Sequence, residues 1–219
     1  MRADRFRARD AVMAAHYSSL ARRHGDSPRA AQWRGSASQE RRFEILFQVG
    51  DLSGARILDF GCGTGAMYAS LTRRFDFTGD YVGCDISEGM LKIARAKFPA
   101  EKFPGARFTA LDIFADPPLE TFDYVFASGT FNNDHADAYE FLLAAIPRLF
   151  AHARKALAFN ALSAAAPRRV AELVYVDPVE LYEFARREVT PLVTLRHDYR
   201  IDDEAEPEDF TLYLRREEA

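Results

Sequence analysis

The sequence predicts an α/β fold, a doubly wound sheet of seven strands with an N-terminal helical cap, and three observations carry that expectation. From Arg56 onward short apolar runs alternate with helical patterns; a glycine-rich turn joins the first run to the first of these helices; and two period-two runs near residues 191–216 lie too close together for a crossover helix. In chain order, residues 10–24 and 39–49 read as helices. Ser36 and Gln39 stand in capping-box spacing ahead of the second, whose Phe43, Leu46 and Phe47 make an apolar stripe, and H-G-D-S-P between the two reads as a turn. R-I-L-D-F, Y-V-G-C-D, R-F-T-A-L-D, F-D-Y-V-F-A-S and K-A-L-A-F-N-A-L read as five parallel strands, separated by helical patterns at Ala66–Arg74, Glu88–Lys97 and Ala136–Phe150. Asp177 with Pro178 behind it is the start signal of a further helix. P-L-V-T-L-R-H-D-Y and D-F-T-L-Y-L-R-R, joined by the acidic D-D-E-A-E-P-E, must pair antiparallel. A break near residue 50 divides a cap (1–50) from the sheet domain (51–219).

The composition narrows the classes open to such a chain. With 219 residues, 48% hydrophobic and 28% charged, it can bury one full core. No apolar run approaches the roughly 20 residues that cross a bilayer, and no signal-peptide pattern opens the sequence, so a cytoplasmic protein is expected. The two cysteines, Cys62 and Cys84, lack zinc spacing, and no metal is expected. Net charge is −4, although residues 1–50 carry ten arginines against five acids. Those arginines are interleaved with acids and alanines at helical spacing, a pattern of solvated helix faces more than of a nucleic-acid surface.

Chemistry concentrates at the carboxyl ends of the strands. I-L-D-F-G-C-G-T-G sets Gly61, Gly63 and Gly65 at alternate positions after a strand, where backbone N–H groups and a helix N-terminus can face a ligand. Gly61, Gly63 and Ala66 also satisfy a dinucleotide fingerprint, which keeps a nicotinamide-dependent oxidoreductase open as an alternative. Asp59, however, would repel a pyrophosphate and attract an α-ammonium group. Asp85 ends the second strand, where a carboxylate accepts from ribose hydroxyls. Asp112 ends the third and can accept from an adenine amine, with Ile86, Met90 and Ile113 around the ring.

On these residues the chain resembles the class I S-adenosylmethionine (SAM)-dependent methyltransferases: I-L-D-F-G-C-G-T-G is similar to their first motif, Y-V-G-C-D-I-S to the second, and A-L-D-I-F and F-D-Y-V-F-A-S-G to the next two. H-G-D-S-P, Trp33 and S-Q-E-R-R-F further resemble small-molecule methyltransferases, including the trans-aconitate methyltransferase-like group. The resemblance implies a Rossmann-like strand order 3-2-1-4-5-7-6 with strand 7 antiparallel. It also implies SAM contacts from Asp59, Gly61, Cys62, Gly63, Gly65, Asp85, Ile86, Met90, Asp112, Ile113, Ser128 and Gly129, with S-adenosylhomocysteine (SAH) as product.

The expected reaction is methyl transfer to a small molecule, at O or N rather than C. A SAM-binding regulator or partner subunit without catalysis is the alternative. The loop after the fourth strand reads S-G-T-F-N instead of the proline pair of adenine and glutamine methyltransferases, which argues against base or amide acceptors. His135, with Asp134, is the candidate general base. Tyr17, Trp33 and Arg42 from the cap, Phe131 and Asn132 from the loop, and His197 and Tyr199 from the hairpin are candidates for holding the acceptor, Arg42 through a carboxylate.

Overall fold

The computed structural model describes residues 2–33, 35–114, 120–135, 137–201 and 208–217. Five parallel strands, β1 (Ile57–Phe60), β2 (Tyr81–Asp85), β3 (Ala106–Ala110), β4 (Phe122–Ala127) and β5 (Ala153–Ser163), form the sheet with the two-residue β6 (Tyr175–Val176), β7 (Val193–Arg196) and β8 (Asp209–Arg215). Their order is β3-β2-β1-β4-β5-β8-β7, with β6 paired to the end of β5. The added β6 apart, this is the expected order, and β8 runs antiparallel to both β5 and β7. Leu162 lies opposite Asp209, so β8 begins at the margin where the parallel strands end. The acidic connector, at 202–207, lies outside the described residues.

Alternation along the strands separates two apolar layers. Leu58, Phe60, Val125, Leu157, Phe159, Phe210 and Leu212 face α5 (Ala138–Ala151) and α6 (Pro178–Glu188). Ile57, Tyr81, Phe126, Ala158 and Tyr213 face α2 (Ser36–Phe47), α3 (Ala66–Arg74) and α4 (Glu88–Lys97). The stripe Phe43, Leu46 and Phe47 packs into this second layer, which places α2 against the sheet. Side chains of α3 such as Met67 and Leu71, each at most 1% exposed, hold the helix whose N-terminus faces the glycine turn.

Local signals fared unequally. The Asp177 carboxylate accepts from Val179 N at 2.8 Å and Glu180 N at 3.2 Å, and Pro178 occupies the first turn, as expected of a cap. The Ser36–Gln39 capping box does not form: Gly35 is the N-cap, with no side-chain cap bond. The first helix, α1, spans Arg2–His24 and not 10–24. Its early turns are fixed by tertiary packing, with Phe6 at 3% exposure and its ring 4.8 Å from Phe114 and 5.4 Å from Phe141. Among the described residues no helix is long and apolar enough to cross a membrane.

Candidate active site

The turn after β1 has positive φ at Gly61 (79°), Gly63 (54°) and Gly65 (78°), but the three glycines answer to different needs. A Cβ on Gly61 would lie 2.4 Å from Thr130 Oγ1, whose hydroxyl donates to Phe60 O at 2.8 Å. One on Gly65 would press on Phe98 and Phe108 at 3.0–3.1 Å. Gly63 alone has nothing within 4 Å of that position. Its side of the turn opens into a cavity of about 310 Å³, within the usual size range of small-molecule sites.

All of the expected cofactor contacts except Gly65 line this cavity: Asp59, Gly61, Cys62, Gly63, Asp85, Ile86, Met90, Asp112, Ile113, Ser128 and Gly129. Gly65 sits behind the turn as the N-cap of α3. Asp85 holds the turn in place, with Oδ2 accepting from Gly63 N at 2.9 Å and Oδ1 from Ser87 N at 2.8 Å. A carboxylate has about four acceptor sites, more than these bonds use. Asp112 Oδ1 accepts from Phe114 N at 2.8 Å. Asp59 accepts from the Tyr81 hydroxyl at 2.5 Å, and burial pushes its carboxyl up to about 7, the Tyr81 bond opposing that and Asp85 adding to it. Burial also raises Asp85 against the pull of its N–H donors. A wall with three acids, a bare glycine surface and a buried, unpartnered Ser128 Oγ suits a cationic, hydroxyl-bearing ligand.

Helix α1 forms the opposite wall through Arg9, Asp10, Met13 and Tyr17, a single helical face. Arg9 and Asp10 are ion-paired, and the Arg9 guanidinium lies 3.4 Å from the Phe141 ring centroid. Burial lowers the Arg9 pKa and raises that of Asp10, each opposed by the other's charge. Sequence reasoning missed Arg9, which precedes the helix read over 10–24, and Asp10 and Met13, which lie within it; the i, i+4 spacing of Phe6 with Asp10 and of Met13 with Tyr17 is the signal that marks the face.

A smaller cavity of about 120 Å³ adjoins the first, and Tyr17, Ala31, Trp33, Gly129 and Asn133 line both. Asn133 Nδ2 donates to the Tyr17 hydroxyl, and burial pushes the Tyr17 phenol up to about 12. Arg42 and Asn132 line the second cavity, where Asn132 Oδ1 is buried without a partner. Arg42 is not a vacant carboxylate clamp: it already holds Asp209 with Nε and Nη2 at 2.9 and 2.7 Å.

Five other candidates stand elsewhere. Phe131 packs against Phe159 and Phe141 in the core. Tyr199 bonds Thr211 at 2.8 Å, and His197 packs edge-on to Phe210; neither lines either of these two cavities. His135 Nε2 accepts from Arg9 Nε at 2.8 Å, which engages the lone pair a general base would use. Neither it nor Asp134, whose backbone N–H is bonded to Glu172 O, lines either cavity. Among the described residues no group of three or more His, Cys, Asp or Glu side chains is placed to hold a metal ion.

Residues 57–153 match the model of a methyltransferase domain. A Mycobacterium tuberculosis protein that carries the name methyltransferase is 31% identical over 166 residues, 73% of this chain and 92% of that one. Trans-aconitate 2-methyltransferase of Variovorax paradoxus is 37% identical over 111 residues, covering 49% of this chain and 38% of that enzyme. Among solved structures, magnesium protoporphyrin IX methyltransferase of Synechocystis with bound SAH superposes with a TM-score of 0.64 at 16% identity, over 93% of this chain and 97% of that one.

Proposed function

This chain belongs to the class I SAM-dependent methyltransferases, and from that premise we propose that it methylates an oxygen or nitrogen atom of a small molecule seated in the second cavity. The observation that carries the proposal is the shared wall of Tyr17, Ala31, Trp33, Gly129 and Asn133, where a ligand of the first cavity and a ligand of the second can meet. Trans-aconitate and magnesium-protoporphyrin methyltransferases, to which parts of the chain are similar, are named for small-molecule acceptors and support the same substrate scale. The cap (1–50) and the sheet domain (51–219) would each contribute to both the cofactor and the acceptor side, since residues of both line both cavities.

The bound cofactor supplies a methyl group made electrophilic by its sulfonium. Asp59, Asp85 and Asp112 would hold its ammonium, ribose and adenine in that order, and the Ser128 hydroxyl would gain the partner it lacks. The chain's own part is then orientation, for which effective molarities of roughly 10⁵–10⁸ M are attainable in well-aligned cases. Tyr17, neutral at physiological pH, orients an acceptor as donor or acceptor of a hydrogen bond and does not serve as a base.

Calorimetric titration with SAH, followed by transfer from radiolabelled SAM to panels of phenols, amines and carboxylic acids alongside RNA and protein, tests the reading. Binding of SAH and label on a small O- or N-nucleophile support it. Label appearing only on RNA or protein refutes the acceptor class.

A further inference from the structure

One buried carboxylate outside both cavities is tied to each side of the shared wall. Asp209, at the start of β8, is fully buried. Its oxygens accept from Arg42 Nε and Nη2, and Oδ1 also accepts from Asn160 Nδ2 at 3.1 Å. On one side the Arg42 guanidinium lies 4.5 Å from the centroid of the Trp33 ring. On the other, Asn160 Oδ1 accepts from Gly129 N at 2.9 Å. The two arms then meet, because Trp33 packs so closely on Gly129 that a Cβ there would lie 2.5 Å from Cζ2 and Cη2 of the indole. Asp209, Arg42, Trp33, Gly129 and Asn160 therefore close a ring of contacts through helix α2, strands β5 and β8 and the loop after β4.

Ion pairs buried this deeply contribute little net stability over apolar side chains of similar volume; what such a pair can supply is a fixed geometry. Here the geometry it fixes is the seat of Trp33 on Gly129, the two residues of the ring that line both cavities. We propose that Asp209 is a positioning residue for methyl transfer, setting the aperture between the cofactor and acceptor cavities through Arg42 on Trp33 and through Asn160 on Gly129. The proposal rests on the reading of the shared wall as the place of transfer.

Trp33 is the only tryptophan, so fluorescence reads the aperture directly. The variants are Asp209→Asn, which strands the Arg42 cation, and the double variant Arg42→Met with Asp209→Leu, which removes both charges and keeps apolar bulk. Each is titrated with SAH, and acrylamide quenching of Trp33 is measured free and with SAH saturating. The expected result is SAH affinity within about threefold of wild type while the quenching constant rises about threefold or more, the scale of coupling carried by such networks. Wild-type quenching in a variant that binds SAH would overturn the assignment. So would failure of both variants to fold, which would make the ring a folding element. Absence of SAH binding by the wild type would sink the cofactor reading and with it the part in methyl transfer, while quenching of the free protein would still decide whether Asp209 seats Trp33 on Gly129.

Discussion

Lowering the pH from 7.5 to 5.5 is expected to weaken SAH binding by roughly 25-fold, through Asp59. The free protein holds this carboxyl at about 7 because it is buried. An ammonium beside it favours the ionised form, so its pKa falls on binding, and affinity is present above the free-state pKa and lost as pH drops below it. With a pKa of about 7, Asp59 is about three-quarters ionised at pH 7.5 and about 3% at pH 5.5. The α-ammonium of the ligand sits beside a free carboxylate and stays charged throughout this range, so the whole loss of about 25-fold remains, about 1.9 kcal/mol. The free fold responds with the opposite sign. A carboxyl raised above its ordinary value of 3.8 contributes stability present at low pH and lost as pH rises through 7, so the thermal stabilisation by SAH should grow over the same interval. Calorimetry at constant ionic strength reads the slope, with Asp59→Asn expected to flatten it. A dissociation constant that changes by less than about threefold, or a wild-type slope in Asp59→Asn, would refute the ammonium contact.

The remaining predictions concern the turn and α1. Gly61→Ala meets Thr130 as well as an unfavourable φ and should lower the melting temperature, whereas Gly63→Ala meets only the φ penalty of about 1–2 kcal/mol and should fold but lose SAH affinity; equal melting temperatures would contradict this. His135→Gln should cost less than tenfold in turnover with an acceptor found by the panel, because a general base would cost about 10²–10⁴. Tyr17→Phe should leave SAH affinity nearly unchanged and lower turnover without moving the alkaline limb of the pH profile, since the phenol stays protonated to about 12; a shifted limb would make Tyr17 a titrating group.

The cofactor side was legible because it is local. Asp59 and Asp85 lie in the last two positions of β1 and β2 and Asp112 just past β3, and a parallel sheet brings strand ends to one margin, so periodicity alone places them together. The acceptor side was not, because its contacts depend on where α1 and α2 cross that margin. Arg42 was read as a cation awaiting a ligand since its partner, Asp209, is 167 residues away. His135 stands beside a helix start, as the sequence suggests, yet its ring nitrogen is claimed by Arg9 on an element whose first turns carry no start signal. Glycines show the same division: the loop was evident, but that Gly61 yields to Thr130 and Gly129 to Trp33 follows only from folding.

Strand β8 enters the sheet against the direction of its neighbour β5, and this has a consequence for synthesis. A growing chain can pair β1 through β5 and shape the glycine turn while residues 208–217 are still within the ribosome. Until β8 slots between β5 and β7, Arg42 lacks its Asp209 counter-ion and Asn160 its Asp209 tether. On the role proposed for Asp209, the donor's wall takes shape before the means to aim the methyl group.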